Sequence, residues 1–278
     1  MSTFLRYALK NFNNFTLNWL QPASYADSMN SFYGMPWEIF RSDRVLRSSW
    51  PVTYVTKSGR VPGYYSLIVL VPEYDLGITI LVAGDDDLFD DLRELVTVEL
   101  IRSVDLLALT QLRDDYGGMY TSASLNSSIS LSVSIPSKKN RHEPLIRGLV
   151  VTSFVSNATD VLLSNLPSLS PGGARSYSRW HLQLVPTALF YNATAKEGEL
   201  WRAVIVSDEP RSGVWDDFCI TDIDLDVYAG IPINELVFWR HKGSVSEVGL
   251  PAFRITLSKN ETNFMNNESR GAQVVLEL

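Results

Sequence analysis

Two neighbouring segments, 64–71 and 76–83, are apolar at consecutive positions rather than at alternate ones. The run 67–71, for example, reads Leu-Ile-Val-Leu-Val without a polar residue. Strands of this kind carry apolar side chains on both faces, so they are stable only in a sheet whose two faces are covered. A short Pro-Glu-Tyr-Asp link at 72–75 joins the two segments. The sequence therefore predicts two adjacent strands that need other structure on each side.

One covering layer is indicated directly after the second strand. Asp85, Asp86 and Asp87 suit a helix N-terminus, where free N–H groups and the helix dipole favour carboxylates. The helix is predicted to run to about Arg113, and a shorter one is predicted over residues 3–12. The apolar stripe of the longer helix consists of Leu88, Leu92, Leu95, Val96, Leu100, Val104 and Leu107. Because one helix covers one face, we expect the C-terminal domain, a second copy of the chain or another protein to cover the other face.

The sequence pattern changes at Tyr116, where short β-rich runs separated by Gly, Pro, Asn and Ser turns begin. Evenly spaced runs of this kind indicate an antiparallel sandwich or barrel. The runs are Ile129–Ile135, Leu149–Val155, His181–Pro186, Leu200–Val206, Ile220–Val227, Glu235–Trp239, Ala252–Leu257 and Gln273–Leu278. The predicted fold class is therefore α+β. A partial antiparallel sheet with a packed helix occupies residues 1–113, and an all-β barrel or sandwich domain occupies residues 114–278.

Composition excludes several classes of protein. A net charge of −7 and a pI near 5.0 argue against a nucleic-acid partner. The longest uncharged apolar stretch, 64–71, is too short to span a bilayer, so no membrane partner is expected. A single cysteine, Cys219, excludes an intramolecular disulfide, and the three histidines lack the paired spacing of metal ligands. We expect no metal site and no cofactor.

The N-terminus has no basic start followed by an apolar core, which predicts no signal peptide and a cytoplasmic chain as written. Against this, six Asn-x-Ser/Thr sequons occur, where random placement of the same residues gives about 2.5. The sequons begin at Asn14, Asn126, Asn157, Asn192, Asn260 and Asn267. Two interpretations stay open: a Ser/Asn-rich β domain, or ancestry in a secreted glycoprotein. Localisation is accordingly left open.

Several short motifs occur in a recognisable order in the first part of the chain. They are Tyr33-Gly34-Met35-Pro36-Trp37, Tyr54-Val55-Thr56-Lys57-Ser58-Gly59-Arg60-Val61-Pro62-Gly63-Tyr64-Tyr65-Ser66, Val71-Pro72-Glu73-Tyr74, Leu76-Gly77-Ile78 and Leu81-Val82-Ala83-Gly84. Their order resembles the C-terminal part of the serine β-lactamase-like family, which includes class C β-lactamases, DD-peptidases and related esterases. Fungal members with an additional C-terminal β domain would also account for residues 116–278. The resemblance implies a truncated sheet of the β-lactamase type followed by a β domain.

The catalytic serine of that family is followed by a lysine one helical turn later, as Ser-x-x-Lys. No lysine of this chain has a serine three residues before it, and no Tyr-x-Asn or Ser-x-Asn element is identified in the position that the family requires. The third family element is present as Lys57-Ser58-Gly59. The resemblance implies that Lys57 and Ser58 hold the substrate's carboxylate and that the Arg60 N–H supplies half of an oxyanion hole. We therefore expect one wall of an active site without its nucleophile.

Three functions fit these features, and whether the chain is an enzyme stays open. The first is a degenerate family member without serine hydrolase activity that binds a small molecule or a protein. The second is a non-covalent cyclase or isomerase of fungal secondary metabolism that orients a substrate in the remaining cleft. The third is a fragment of a serine hydrolase that an upstream segment completes. The residues predicted to line the cleft are Tyr33, Trp37, Lys57, Ser58, Arg60 and Tyr64.

Overall fold

The computed structural model describes residues 1–10, 20–26, 28–135, 146–165, 179–208 and 227–260. The chain divides into two compact units, one formed by residues 1–110 and 135–147 and the other by 111–134 and 148–278. The division falls inside a long helix. The α+β fold class predicted from the sequence is confirmed, because a sheet with packed helices is followed by a closed barrel.

The first unit is a six-stranded antiparallel sheet with helices on its faces. Its elements are α1 (Ser2–Lys10), β1 (Ser24–Tyr25), β2 (Ser31–Tyr33), β3 (Glu38–Ser42), β4 (Val52–Val61), β5 (Tyr64–Val71), β6 (Leu76–Ala83) and α2 (Asp86–Tyr116). Each strand pairs with the next along the chain, so the sheet is a simple meander. Strands β5 and β6 have the bounds predicted from the two apolar runs.

Both faces of this sheet are packed, as the consecutive apolar residues require. Val69 and Val71 point into a core that includes Ile101 of α2. Leu70, between them, lies in a second core that contains Leu5 and Ala8 of α1. The chain's own N-terminal helix therefore covers part of the face for which the sequence suggested an outside cover. Residues 11 and 12 of the predicted helix lie outside the described residues.

Helix α2 buries a different side from the one that the sequence predicted. Of the seven residues in the predicted stripe, Leu92 and Val96 pack against the core. Four others are largely solvent-exposed, at 50% for Leu88, 62% for Leu95, 40% for Leu100 and 55% for Leu107. The buried side instead includes Ile101, Thr97, Asp105 and Leu109. The stripe prediction is wrong for the exposed leucines because α2 carries apolar residues nearly all the way round.

The second unit contains a closed eight-stranded antiparallel barrel. Its elements are β7 (Gly118–Ser122), β8 (Ser127–Val133), β9 (Leu149–Ser156), β10 (Thr159–Asp160), β11 (Trp180–Asn192), β12 (Glu197–Ser207), β13 (Val227–Tyr228), β14 (Ile231–Pro232), β15 (Glu235–His241), β16 (Ser244–Leu250) and β17 (Ile255–Lys259). The barrel order is β9, β11, β12, β15, β16, β17, β7 and β8, and β8 pairs back with β9 to close it. Of the two all-β architectures predicted, the barrel is the one formed.

The barrel is filled by side chains that alternate along its strands. Aromatic rings dominate one part of this core, where Tyr116, Trp201 and Phe238 meet at centroid distances of 4.9–5.6 Å. Such tilted and edge-to-face arrangements are the favoured ones for aromatic pairs. The last turn of α2, which belongs to the second unit, contributes Tyr116 to this core.

Several sequence predictions differ from the structure in detail. Residues 33–40 do not form one continuous strand: β2 and β3 are separated by a turn that contains a cis Met35–Pro36 bond. Among the eight barrel strands, β7 and β16 were not predicted. Residues 220–226 and 273–278 of two predicted strands, together with Cys219, lie outside the described residues. Within the described ranges, neither helix combines the length and apolar character needed to cross a membrane.

Candidate functional site

Strand β4 is paired along only half of its length on one side. Strand β3 pairs with residues 52–56, whereas β5 pairs with residues 55–61. In the described part of the chain, residues 57–61 therefore have a strand neighbour on one side only. This open edge begins at Lys57-Ser58-Gly59, the motif that carried the family resemblance. A half-paired strand leaves backbone N–H and C=O groups free to bind a ligand.

The side chains of Lys57 and Ser58 converge on one carboxylate. Glu38, the first residue of β3, accepts a hydrogen bond from Lys57 Nζ on one oxygen and forms an ion pair with it. Its other oxygen accepts a 3.0 Å hydrogen bond from Ser58 Oγ. Burial alone would raise the pKa of Glu38, but the hydrogen bonds from Lys57 and Ser58 and the Lys57 charge outweigh it, so that pKa is lowered.

A cavity of about 640 Å³ adjoins this cluster, between the sheet and the first half of α2. Glu38 and Ser58 form part of its polar wall, and Phe40, Leu67 and Val69 form an apolar floor. Arg44, Arg93, Glu94 and Arg102 also line the cavity, so polar and charged side chains outnumber the apolar ones around it.

The aromatic side of the cavity is rigid. The Phe40 ring stacks on Tyr54 with centroids 4.5 Å apart and an interplanar angle of 2°. Burial, followed by the charges of Glu94 and Glu73, raises the pKa of Tyr54 to about 12 against the opposing charge of Arg102. The Tyr54 hydroxyl is therefore protonated at neutral pH and can donate a hydrogen bond but cannot act as a base.

Arg60 and Tyr64, also predicted to line the cleft, lie at a different place. They border an open groove of about 510 Å³ at the turn between β4 and β5. Arg60 forms an ion pair with Asp86, and its guanidinium lies 5.3 Å from the centre of the Tyr65 ring. This groove is predominantly apolar apart from Arg60 and Ser66.

Trp37 and Tyr33 line neither cavity. Trp37 is 3% exposed and belongs to the core beneath α1. Its ring stacks on Phe4 at a centroid distance of 6.4 Å. Tyr33 is exposed on β2, directly opposite Glu38 in the strand register. The structure thus unites Lys57 with Ser58 and separates them from the other four predicted residues.

Comparison with known proteins identifies the lineage of the chain. The family model described as "Beta-lactamase-like-like, C-terminal domain" matches residues 108–261, which include the barrel strands. The chain belongs to the β-lactamase-like protein family. This membership confirms the resemblance found in the motifs.

Three fungal relatives in this β-lactamase-like family extend the similarity over almost the whole chain. The chain is 34% identical to a probable hydrolase of Cochliobolus lunatus, over 93% of its own length and 42% of that protein. It is 35% identical to a probable hydrolase of Phoma sp., over 93% and 44% respectively. It is 26% identical to a β-lactamase-like protein of Arthroderma benhamiae, over 91% and 46%. The chain therefore spans less than half the length of the curated relatives it matches.

Glu38 is the residue of this candidate site that sequence reasoning missed. It is 19 residues from Lys57 in the chain and reaches it only through the pairing of Glu38 with Thr56. One signal was available, because Glu38 directly follows the Tyr33–Trp37 motif that precedes the Lys-Ser-Gly strand. An acidic residue that opens the neighbouring strand is a candidate partner for a lysine on that strand.

The sequons of the second unit lie mainly at turns. Asn126 and Asn157 are exposed and adopt φ angles of 46° and 48°, a left-handed conformation that asparagine tolerates better than most residues. Asn192 Oδ1 accepts a hydrogen bond from the Ala195 N–H at 3.1 Å. Asn260 Oδ1 accepts one from Thr121 Oγ1 at 3.0 Å. Each asparagine thus has a structural role of its own. Asn14 and Asn267 lie outside the described residues.

Proposed function

We propose that the chain provides the substrate-binding wall of a hydrolase active site whose nucleophile comes from a segment outside these 278 residues. The observation that carries the proposal is the open edge of β4, which begins at Lys57 and Ser58, together with a cavity of about 640 Å³ that Ser58 and Glu38 line. Two further facts support it. The sequence has no Ser-x-x-Lys element, and relatives named probable hydrolases are more than twice as long as the aligned region.

The contribution of this wall would be orientation and charge stabilisation. Ser58 presents an O–H donor at the cavity, and Lys57 presents a charged N–H donor beside it on the Glu38 carboxylate. Both donors can bind a polar group of an acyl substrate. By family resemblance, the Arg60 N–H on the open edge would donate to the oxyanion that forms during acyl transfer. Neither step requires a base or a nucleophile from this chain, so the chain alone is expected to bind without turnover.

The first test uses the 278-residue chain alone. Incubation with a fluorophosphonate probe, nitrocefin and p-nitrophenyl butyrate should give no covalent adduct by intact mass and no release of product. Fusion of the chain behind the part of the Cochliobolus lunatus protein that it does not match should restore a labelled serine in the added part. An adduct on the isolated chain would overturn the proposal, because a nucleophile would then lie within it.

The role of the wall is tested in the same fusion. Lys57→Ala should lower kcat/KM for the ester by about 10-fold or more, since it removes a charged hydrogen-bond donor from the site. Lys10→Ala, which removes an exposed lysine of α1, is the control and should have no effect. If a labelled and active fusion were equally insensitive to both changes, β4 would not be the substrate wall.

The degenerate, binding-only function is the second candidate, and the cavity itself favours it. A rigid aromatic wall beside polar groups can hold a small molecule whether or not a nucleophile is supplied. The fusion experiment distinguishes the two candidate functions. A well-folded fusion with a labelled serine supports the hydrolase, whereas binding without any labelling or turnover supports the degenerate protein or a non-covalent enzyme.

A further inference from the structure

The cavity between the sheet and α2 has two ends, which are set by the direction of the helix. Helix α2 begins beside the turn between β4 and β5, where Asp86 is paired with Arg60. It reaches the far end of β3 at Arg102, whose Nε donates a 3.0 Å hydrogen bond to the Val45 carbonyl. Eight residues separate Glu94 from Arg102, and both line the cavity, so its two ends lie about 12 Å apart along the helix.

The end nearer the turn between β4 and β5 has a net negative charge. Glu38 lines this end but is paired with Lys57. Arg93 also lines it but is paired with Asp90, at 3.1 Å. Glu94 forms no ion pair with any residue that the structure describes, so its charge is the one left uncompensated.

The other end of the cavity presents hydrogen-bond donors that lack an acceptor among the described residues. The Arg44 guanidinium forms no hydrogen bond or ion pair there. Arg102 uses Nε for the Val45 carbonyl and Nη1 for Glu99, which leaves Nη2 uncommitted. The charge of Arg102 also acts on the hydroxyl of Tyr54, which is only 4% exposed and has no hydrogen-bond partner in the described ranges. Because buried tyrosine hydroxyls usually have a partner, these groups point to an acceptor that a ligand supplies.

A carboxylate provides the acceptors that these donors lack. Its two oxygens can accept hydrogen bonds from guanidinium groups in a fixed planar geometry, and a third bond from a tyrosine hydroxyl. The apolar floor between the two ends offers contact for a hydrocarbon body. At the opposite end, the uncompensated charge of Glu94 disfavours a second carboxylate.

We propose that this cavity binds an amphipathic monocarboxylate, with its carboxylate at Arg44 and Arg102 and its apolar body over the floor. Only the role of this compound as a substrate rests on the proposed function, because its uncharged end would lie nearest Ser58 and the open edge of β4. Binding to the chain alone tests the inference, whereas serine labelling in the fusion tests the proposed function. The two can therefore fail separately.

The test compares 4-phenylbutyrate with its methyl ester on the 278-residue chain. By titration calorimetry, the chain should bind the acid about 10-fold or more tightly than the ester. Arg44→Gln and Arg102→Gln should each remove most of this preference. Tyr54→Phe should weaken binding of the acid by about threefold, through the lost hydrogen bond. Equal binding of acid and ester, or binding of neither, would overturn the proposal.

Arg93→Gln is the matched control, because it also removes one positive charge from the cavity wall. Since Arg93 lies at the acidic end and is paired with Asp90, the change should alter affinity for 4-phenylbutyrate by less than about twofold in about 0.15 M salt. Equal losses in Arg93→Gln and Arg44→Gln would indicate a general charge effect and contradict the proposal. An unchanged affinity in Arg44→Gln would do the same. Arg44 decides the test even if Arg102→Gln fails to fold, because its guanidinium has no hydrogen bond in the described part of the chain to lose.

Discussion

Tyr116 shows how a single hydroxyl can join the helix to the barrel. Its O–H donates to Glu199, and Arg240 Nη2 donates to the Tyr116 oxygen at 2.9 Å. Arg240 Nε also donates to Glu199 at 2.7 Å, so the three side chains are all hydrogen-bonded to one another. Burial raises the pKa of Tyr116 to about 12, and the bond to Glu199 adds to that rise, whereas Arg240 opposes it. The pKa of Glu199 is lowered, because its contacts with Tyr116 and Arg240 outweigh its burial.

This cluster predicts a stability loss in alkali. A pKa raised in the folded state gives stability that is complete below the ordinary tyrosine pKa of about 10 and is lost as pH rises through about 12. Tyr116→Phe should lower the free energy of unfolding by about 1 kcal/mol at pH 7 and should flatten the fall in Tm between about pH 10 and 12. Tyr54, Tyr74 and Tyr120 also have raised pKa values, so part of the fall should persist. Tyr191→Phe, at an exposed position in the same unit, should leave the profile unchanged, and an equal flattening in both variants would contradict the assignment.

At the level of single residues, the sequence predicted the candidate site only in part. Lys57 and Ser58 are neighbours in the sequence, so a family motif was enough to find them. Glu38 depends on the register between β3 and β4, which the sequence does not specify because the link between these strands spans residues 43–51. Trp37 lies in the same motif as Tyr33 but faces the core, because residues 34–37 form the turn between β2 and β3 and do not continue the alternation of a strand.

Among the elements, α2 shows why a pattern of apolar residues can mislead. Asp105 and Thr97 read as outward-facing, yet both are buried. Thr97 Oγ1 donates to the Arg93 carbonyl at 2.6 Å, and Asp105 accepts from Tyr74 at 2.8 Å and from Arg147 at 3.0 Å. Local and long-range partners thus satisfy both groups. A hydrophobic pattern cannot anticipate such partners, because one of them, Arg147, lies 42 residues away.

The hairpin between β11 and β12 contains a glycine with two separate constraints. Gly198 has a φ of +69°, and a Cβ at that position would lie 2.8 Å from Tyr191 Cβ and 2.9 Å from the Trp239 ring. Gly243, in the hairpin between β15 and β16, has a φ of +89° but no heavy atom within 4 Å of a Cβ. Gly198→Ala should therefore lower the free energy of unfolding by about 1–3 kcal/mol more than Gly243→Ala. Urea unfolding of both variants measures this difference, and equal losses would mean that the crowding is relieved without cost.

For the whole molecule, the limit of sequence reasoning lies in long-range pairing. Short strands with alternating polarity are compatible with a sandwich and with a barrel, so the sequence left both open. The barrel depends on the pairing of β7 with β17, which joins Tyr120 to Lys259, and on the pairing of β8 with β9. Contacts between such distant residues leave no periodic signal. The two apolar runs, by contrast, define their own neighbours, which is why β5 and β6 were located correctly.

Exposed leucines on α2 predict that the chain self-associates. Leu88 and Leu95 are seven residues apart, so they lie on the same exposed side of the helix, and 50% and 62% of their surfaces are accessible. Contiguous apolar surface on a helix favours association because burial removes it from water. We expect the 278-residue chain to self-associate in light scattering coupled to gel filtration, and Leu88→Gln combined with Leu95→Gln to shift it toward the monomer.

The barrel offers a matched control for that shift. Leu125 and Leu163 are also exposed, at 43% and 82%, but they lie in two different segments, the turn between β7 and β8 and residues 161–165. Leu125→Gln combined with Leu163→Gln removes the same number of methyl groups and should leave the assembly unchanged. If the unaltered chain eluted as a monomer at every concentration tested, the exposed side of α2 would not be an association surface. If both double variants dissociated alike, general solubility rather than this side of α2 would govern assembly.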